Sequence, residues 1–506
     1  MQSVLVVGAG PTGLVMALGL ARRGVPVRII DKKEGATEES RAMGVHARTL
    51  EFYRQFGFAE AVVERGMPAE EIRFRAGDLD GVGFSLRAMG AGLSPYPFML
   101  TFPQDEHERF LLDRLTELGV DVQWGASLED FVDRGDDVEA VINSGVSSER
   151  SVHAYVVGCD GAHSRVREVL ALGFPGGSSD QMFYVADAFV TGAANDVLYL
   201  GLTGDGVALM MPVRSKGSYR IFGLVPPKLL AQQSIAWADV REHAESLLGF
   251  TVGQINWFST YHVHHRVAEH FRVGRVFIAG DAGHIHSPAG GQGMNTGIGD
   301  AVNLSWKIAE VMRGRADSGL LDTYEQERLP FARFLVATTD QAFKVLVNDG
   351  RVAQAARVHM VPRIVSTMMK FALSRRLFFK TFSQTRISYR DCTFNQGKAG
   401  AVRGGDRLPW ISTAEGDNFA SLQSLSWQLH TYGQPASGVV EQADQLKLPV
   451  YRFPWGEAAE HAGLQRGASY LVRPDGYVAL ALGPADSADQ LTRFVERRHL
   501  DVSQPE

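Results

Sequence analysis

The chain has 506 residues, 45% of them apolar and 21% charged, with a formal net charge of -6. That length is too great for one compact core and points to roughly three domains of about 100 to 200 residues. The composition is globular rather than disordered, and the acidic balance leaves no basic field to hold a nucleic-acid backbone, so no nucleic-acid partner is expected.

In chain order, "SVLVV" from Ser3 is a short β-branched run, "GAGPTG" a glycine-rich turn, "LVMALGLARRG" a run of helical apolar spacing ending at Gly24, and "VPVRIID" a second strand ending at Asp31. A strand, turn, helix, strand unit of this kind opens a parallel sheet. Its Gly8, Gly10 and Gly13 form GxGxxG directly after the strand. The first permits the tight turn, the second lets a pyrophosphate approach the backbone, and the third lets helix and strand pack closely, with phosphate charge on the helix N-terminus. Asp31, 18 residues past Gly13, stands where a carboxylate accepts from ribose hydroxyls. GxGxxG alone is a weak signal; strand, helix and acid together predict dinucleotide binding.

Two later segments extend that pattern. "VVGCDGAHSRVRE" places Asp160 and Gly161 after a strand and ahead of a basic helix, and "RVFIAGDAGH" places Asp281 after another strand, where it can take the hydroxyls of a ribityl chain. Between them, from about Phe174 to Val267, short alternating segments such as "FYVADAFV", "VALMMPV" and "YRIFGLV" are broken by Gly, Pro and Ser, an antiparallel-sheet signature. Met210 and Met211 in that stretch are read as core filling ahead of pocket lining.

"GDAGHIHSPAGGQGMN", Gly280 to Asn295, admits two readings. His284 and His286 beside Asp281 could form the corner of a metal site, or the glycines could shape backbone to lie against a flat ligand. A metal needs further ligands, and the other histidine cluster, "YHVHHR" from Tyr261 to Arg266, sits in a strand that alternates faces. Scaffold histidines and no metal are therefore expected. After Ala301 helical spacing runs to about Phe382, with Pro330 and Pro362 as breaks. The basic part, "RVAQAARVHMVPRIVSTMMKFALSRRLFFK", is read as a solvated helix pair or dimer contact in preference to a membrane-surface helix. From Gly405 onward, "GDRLPW", a hairpin turn at "RPDG" and a closing helical run suggest a small α/β module. Only Cys159 and Cys392 are present, too few for a disulfide framework or a cysteine-rich zinc site. No basic n-region precedes the first apolar run and no 18 apolar residues follow one another. A cytoplasmic protein without signal peptide or membrane span is expected.

With these three motifs in this order, the chain resembles the single-component FAD-dependent aromatic hydroxylases, the group A flavoprotein monooxygenases, over essentially its whole length. "SRAMGVHARTLEFYRQFG" looks like the family's arginine-bearing segment near the flavin, and "FPQDEHERFLLDRL" supplies Gln104 and Arg109 at matching places. "TRISYRDCTFNQG" and the closing "GDRLPW... LVRPDGYVAL" are similar to the phenol, hydroxyphenylpropionate and aromatic polyketide hydroxylases with a thioredoxin-like C-terminal domain. The implied fold is α/β: a Rossmann-like FAD-binding domain in two parts, 1–173 and 268–395, an inserted antiparallel β-sheet substrate domain, 174–267, and a thioredoxin-like domain, 396–506. The last lacks CxxC, so a packing or dimer role is expected of it.

The resemblance implies FAD held by Gly8, Gly10, Gly13, Asp31, Leu128, Asp160, Gly161 and Asp281, with Arg41 and Gln104 on its ribityl and ring region and Gly291, Gly293, Met294 and Asn295 around the ring. Arg41 and Pro288 are the catalytic candidates, Pro288 through a backbone carbonyl near the reacting oxygen. His46 is read as a packed or solvated histidine. Met43 stands where the phenol hydroxylase branch carries an acid, which counts against simple-phenol chemistry by that route. The implied reaction uses NADPH or NADH and dioxygen: hydride reduces the flavin, oxygen adds at carbon 4a, and the peroxide hydroxylates a small aromatic molecule, phenolic or polycyclic. Baeyer-Villiger oxidation or epoxidation on the same fold, and a flavin-binding protein without turnover, stand as alternatives. One GxGxxG means the nicotinamide binds transiently in a groove, and the FxGxxxHxxxW and WxWxIP signatures of other flavin oxygenases are absent. A monomer or homodimer is expected.

Overall fold

A computed structural model of the chain describes residues 2–37, 42–76, 79–145, 147–204, 206–286, 289–347 and 356–504. Among these, the helices of nine residues or more are, in chain order, α1 (Pro11–Ala21), α2 (Ala47–Gln55), α3 (Gln104–Thr116), α4 (Trp237–Leu248), α5 (Gln292–Met312), α6 (Asp322–Val347), α7 (Val361–Met369), α8 (Ala372–Phe382) and α9 (Asp489–Arg497).

The first strand, Val4–Val7, is fully buried and pairs in parallel with Val27–Asp31 on one side and Tyr155–Gly158 on the other. Val122–Trp124, Val276–Ile278 and the short Arg272–Val273 complete a six-stranded sheet. Pro11 opens α1, where its missing N–H removes no helical bond. Residues 13–20 of α1 are all buried, because the helix lies between the sheet and α5. Gly19 allows that approach: a Cβ there would meet Ser305 Oγ at 2.4 Å.

The second sheet has eight strands in the order His284–Ile285, Val252–Val267, Gly176–Val190, Ser215–Leu224, Gly206–Val213, Val197–Thr203, Glu71–Arg75, Gly83–Ser85. Its pairs are antiparallel except Val197–Thr203 against Glu71–Arg75. The sheet therefore reaches beyond 174–267: a strand pair from the N-terminal segment extends one edge and His284–Ile285 the other. Alternation puts Tyr184, Ala188, Met210, Tyr219 and Ile221 under α4, while Leu198, Leu202, Met211 and Val213 pack into the core of the flavin-binding module. Both methionines are buried, one on each face.

α6 runs through Pro330 instead of breaking there. Glu327, Arg328, Leu329 and Ala332 around it are buried, so tertiary contacts hold both sides of the proline. Nor does Pro362 break the helix: a π-helical turn, Ala356–Met360, runs straight into α7, with Met360 itself right-handed (φ -83, ψ -52), and the proline stands in the first α-helical turn, where its missing N–H is tolerated.

The C-terminal module has a six-stranded sheet in which Val450–Phe453, Gln428–Tyr432, Ser469–Val472 and Val478–Leu482 are neighbours in that order. The first pair is parallel and the next two antiparallel, with a helix between the first two strands in sequence and α9 after the last. This is a thioredoxin-like arrangement. Its "RPDG" hairpin reaches into the flavin-binding module. Arg473 Nη1 donates to Glu327 Oε1 (2.5 Å), Arg473 Nη2 to Asp475 Oδ2 (2.6 Å), Lys307 Nζ to Glu327 Oε2 (2.7 Å) and Trp306 Nε1 to Asp475 Oδ2 (3.1 Å), all buried. Burial by itself would raise the Glu327 carboxyl, but Arg473 and Lys307 hold it far below the carboxylate range. The two cysteines are free and buried.

Candidate active site

The three glycines of the opening turn have three different surroundings. Gly8 has φ +104, and a Cβ there would lie 2.3 Å from the Cys159 carbonyl oxygen; at Gly13 a Cβ would lie 1.9 Å from the Gly8 oxygen. At Gly10 it would meet nothing within 4 Å. Two glycines thus close the fold, and the third faces open space before the N-terminus of α1, whose first amides have no helical acceptor. Asp31 ends its strand with Oδ2 accepting from Ala9 N–H (2.7 Å) and Oδ1 from Lys33 N–H (2.9 Å), so its carboxylate also braces the turn.

Asp160 follows the Tyr155–Gly158 strand. Its Oδ2 accepts from the Arg165 and Val166 amides (2.6 and 3.1 Å), while Oδ1 is buried with no protein partner. Burial raises its carboxyl above the ordinary aspartate value. Gly161 beside it has φ +80, with open space where a Cβ would stand. Gln104 heads α3, with Oε1 accepting from Ala42 N–H (3.2 Å) and Nε2 donating to Glu108 (2.9 Å). Leu128 is buried in the core, in the Ser127–Asp133 strand and paired with Ile142. Arg109 is exposed on α3 and pairs with Asp105.

Asp281 sits in a tight turn, Gly280–Ala282, after the Val276–Ile278 strand. It is exposed to solvent, yet protein crowds round it; desolvation raises its carboxyl, His284 opposes the rise and Asp300 adds to it. The turn hangs on Asp300 of α5, a buried carboxylate that accepts from Gly280 N–H (3.0 Å), His284 Nε2 (2.7 Å) and Arg328 Nε (2.6 Å). Arg328 also donates to the Thr296 carbonyl (3.1 Å) and the Tyr389 hydroxyl (3.0 Å). Burial alone would raise Asp300; Arg328 and His284 bring it below the usual aspartate value. His284 is thus committed to a carboxylate, and among the described residues no group of three or more His, Cys, Asp or Glu could hold a metal.

Gly290 and Gly291 follow, both left-handed (φ +78 and +64) and both exposed, leading into the first turn of α5 with Gly293 and Met294 half-buried. The loop is tied from behind. His46 Nε2 bonds the Gly290 carbonyl (2.9 Å), and the Asn295 carboxamide accepts from His46 N–H (2.9 Å) and Thr49 Oγ1 (2.7 Å) and donates to the Gly44 and Gly291 carbonyls (both 2.8 Å). The Asn295 side chain is therefore a brace consumed by the protein. Burial lowers His46 to about 4, so its ring is neutral at physiological pH. Arg41 and Pro288 lie outside the described residues.

Sequence reasoning missed Asp300, Arg328 and the brace at Asn295. The available signal was the run of polar residues, Asn295, Asp300, Asn303 and Lys307 among them, spaced along a helix that also carries Ile298, Val302, Leu304 and Ile308.

An open pyrophosphate cradle at Gly10, an unpartnered buried oxygen on Asp160, an exposed carboxylate at Asp281 and an exposed glycine loop at a helix N-terminus together define a site for a flavin dinucleotide. The chain belongs to the FAD binding domain family, which it matches over residues 1–339. It is 33% identical over 530 residues to 6-methylpretetramide 4-monooxygenase of Streptomyces rimosus, covering 98% of this chain and 93% of that one. Among solved structures, the OxyS anhydrotetracycline hydroxylase from Streptomyces rimosus superposes with a TM-score of 0.77 at 28% identity, covering 100% of this chain and 99% of that one. A ternary complex of aklavinone-11 hydroxylase with FAD and aklavinone superposes with a TM-score of 0.76 at 25% identity, covering 99% of each chain. The protein is an FAD-dependent monooxygenase of the aromatic hydroxylase group, an oxidoreductase.

Proposed function

We propose that this enzyme hydroxylates a broad, flat phenolic compound, with NADPH or NADH as electron donor and dioxygen as oxygen source. The observation that carries the proposal is the face of the eight-stranded sheet turned toward the flavin-binding module. In register across it run Leu200, Leu209, Phe222 and Val185, and beside them Met211, Arg220, Asp187 and Trp257. Leu200, Leu209, Phe222 and Trp257 are half-buried, unlike the sealed face under α4. A wide apolar wall with one buried ion pair, Arg220 Nε to Asp187 Oδ1 at 2.6 Å and Nη2 to Oδ2 at 2.7 Å, suits a large planar substrate with few polar groups.

FAD, when bound, supplies the redox and oxygen-activating chemistry. Gly8, Gly10, Gly13 and the N-terminus of α1 would take its pyrophosphate, and Asp31, Asp160, Gly161 and the backbone at Leu128 its adenosine side. Asp281 and Gln104 would take the ribityl chain, and the backbone of Gly291, Gly293, Met294 and Asn295 the ring edge. Arg41 and Pro288 are assigned to the same ring region. The Asp300, His284 and Arg328 cluster keeps the Asp281 turn in place, neutral His46 holds the glycine loop, and the apolar wall excludes water from the reacting face. With one dinucleotide fold, the nicotinamide visits a groove and leaves. The setting is cytoplasmic, the enzyme a monomer or homodimer.

The test is a panel of planar phenols, beginning with the compounds named for the relatives, 6-methylpretetramide, anhydrotetracycline and aklavinone. One or more should stimulate NADPH oxidation and oxygen uptake and yield a product heavier by one oxygen. Absence of NADPH oxidation and of oxygenated product with every compound would favour a flavin binder without turnover. An ester or epoxide product would move the reaction to oxygen insertion.

A further inference from the structure

The helices α7 and α8 carry a surface that the flavin chemistry does not use. Of fourteen exposed large apolar side chains among the described residues, six fall within residues 360–377: Met360, Ile364, Met368, Phe371, Leu373 and Leu377. Leu373 is 79% exposed and Phe371 62%, and it is the clustering of six such side chains, more than the exposure of any one, that marks an interaction surface. Met360, Ile364 and Met368 are spaced by four, as are Leu373 and Leu377, so each helix presents one apolar stripe outward while Pro362, Met369 and Phe379 anchor its other side.

The charge that this stretch carries has one sign. Among the described residues from 358 to 390 there are seven Lys and Arg and no Asp or Glu, in a chain whose net charge is -6. Lys370, Arg375 and Lys380 are exposed and Arg376 is half-buried.

We propose that this face docks on an anionic lipid surface, with the two apolar stripes entering the interface and the basic side chains meeting the headgroups. A second copy of the chain fits poorly, because a two-fold contact would set these cations against the same cations on its mate. An acidic protein would satisfy the charge, but the apolar side chains project outward from two neighbouring helices, and lipid accepts projecting apolar groups without a matching set of pockets. Nine and eleven residues are too short to span a bilayer, and no helix among the described residues is long and apolar enough to do so, so the helices lie in the plane of the surface.

The position of the face gives the docking a use. The last turn of α8 is bonded to the flavin loop: Gln292 Nε2 donates to the Phe382 carbonyl (3.1 Å), the Phe382 ring meets His46 edge-on at 5.0 Å, and Gln384 Nε2 donates to Gln292 Oε1 (2.6 Å). The turn before α7, Ala356–Met360, packs on the end of the Val197–Thr203 strand of the substrate sheet, with Val358 beside Gly204. The face thus bridges the substrate sheet and the flavin loop, the two elements between which an apolar substrate delivered from lipid would be received.

The experiment is co-sedimentation of the flavin-loaded protein with vesicles of phosphatidylcholine alone and of phosphatidylcholine with phosphatidylglycerol. Binding to the anionic vesicles only, weakening with salt, is expected. Lys370→Ala/Arg375→Ala should lower the partition roughly 25-fold, at about fivefold per basic residue near the surface, and Phe371→Ser/Leu373→Ser should also weaken it. Both variants should keep wild-type flavin content and melting, since the altered side chains are exposed. Failure to sediment with anionic vesicles, equal binding to neutral ones, or full binding by either double variant overturns the proposal. So does a concentration-dependent dimer abolished by Phe371→Ser/Leu373→Ser, which makes the face a self-interface. Retention on poly-glutamate as strong as on the vesicles, with no dependence on Phe371 and Leu373, assigns it to an acidic protein.

Discussion

Substituting the three glycines of the opening turn one at a time separates cofactor binding from folding. Gly10 has φ -76 and ψ -178, extended backbone that any residue adopts, and an added Cβ meets no protein atom within 4 Å. Gly10→Ala should therefore leave the apoprotein as stable as before, or more stable by about 0.4 to 1 kcal/mol through loss of unfolded-state freedom. The methyl nevertheless enters the space through which a pyrophosphate reaches the amides. Loss of one charge-assisted hydrogen bond there is worth about 1.5 to 3 kcal/mol, or roughly ten- to a hundredfold in FAD affinity. Gly13→Ala behaves oppositely: its Cβ would stand 1.9 Å from a backbone oxygen, which has to move, so the apoprotein itself should be destabilised by several kcal/mol, about 2 to 4. Thermal melting of apoprotein and fluorescence titration with FAD read the two effects separately. A Gly10→Ala apoprotein that melts as low as Gly13→Ala, or that binds FAD like the wild type, would refute the reasoning.

Asp281→Ala should weaken FAD binding about ten- to a hundredfold, recoverably with excess cofactor, without lowering the melting of the apoprotein, because desolvation disfavours its charge and the residue is solvent-exposed; normal FAD binding with uncoupled NADPH oxidation would make Asp281 catalytic instead. Burial raises both the Cys159 and Cys392 thiols, so the native protein should resist alkylation, and the double alanine variant should keep turnover at a cost on the order of 1 kcal/mol per site. A folded, flavin-loaded double variant without turnover would reveal a thiol step. Burial lowers His430 from 6.5 to about 3, so below pH 6.5 the unfolded chain takes up a proton the folded one does not. Its contribution to stability is full above pH 6.5 and falls toward pH 3, by up to about 1.4 kcal/mol per pH unit. In chemical denaturation the stability of the wild type relative to His430→Gln should follow that slope between pH 7 and about 5, and a flat difference would contradict it.

The sequence by itself determined those features whose causes are local. The strand, glycine turn and helix at Val4 to Ala21 and the "RPDG" hairpin follow from periodicity, φ requirements and turn chemistry acting within a few residues. The order of the GxGxxG, Asp160 and Asp281 segments was enough to identify the family. What the tertiary structure alone decided depends on how helices and sheets settle against one another. Asp300 and Arg328 meet across 28 residues because α5 and α6 pack side by side, Glu327 and Arg473 across 146 because a hairpin of the C-terminal module enters between them, and Arg407 reaches Glu51 across 356. The recruitment of Glu71–Arg75 into the substrate sheet, the continuity of α6 through Pro330 and the use of Asn295 as a brace have the same origin. Each is a long-range contact, made once packing has set the register of distant elements, and no periodicity within a short window encodes it.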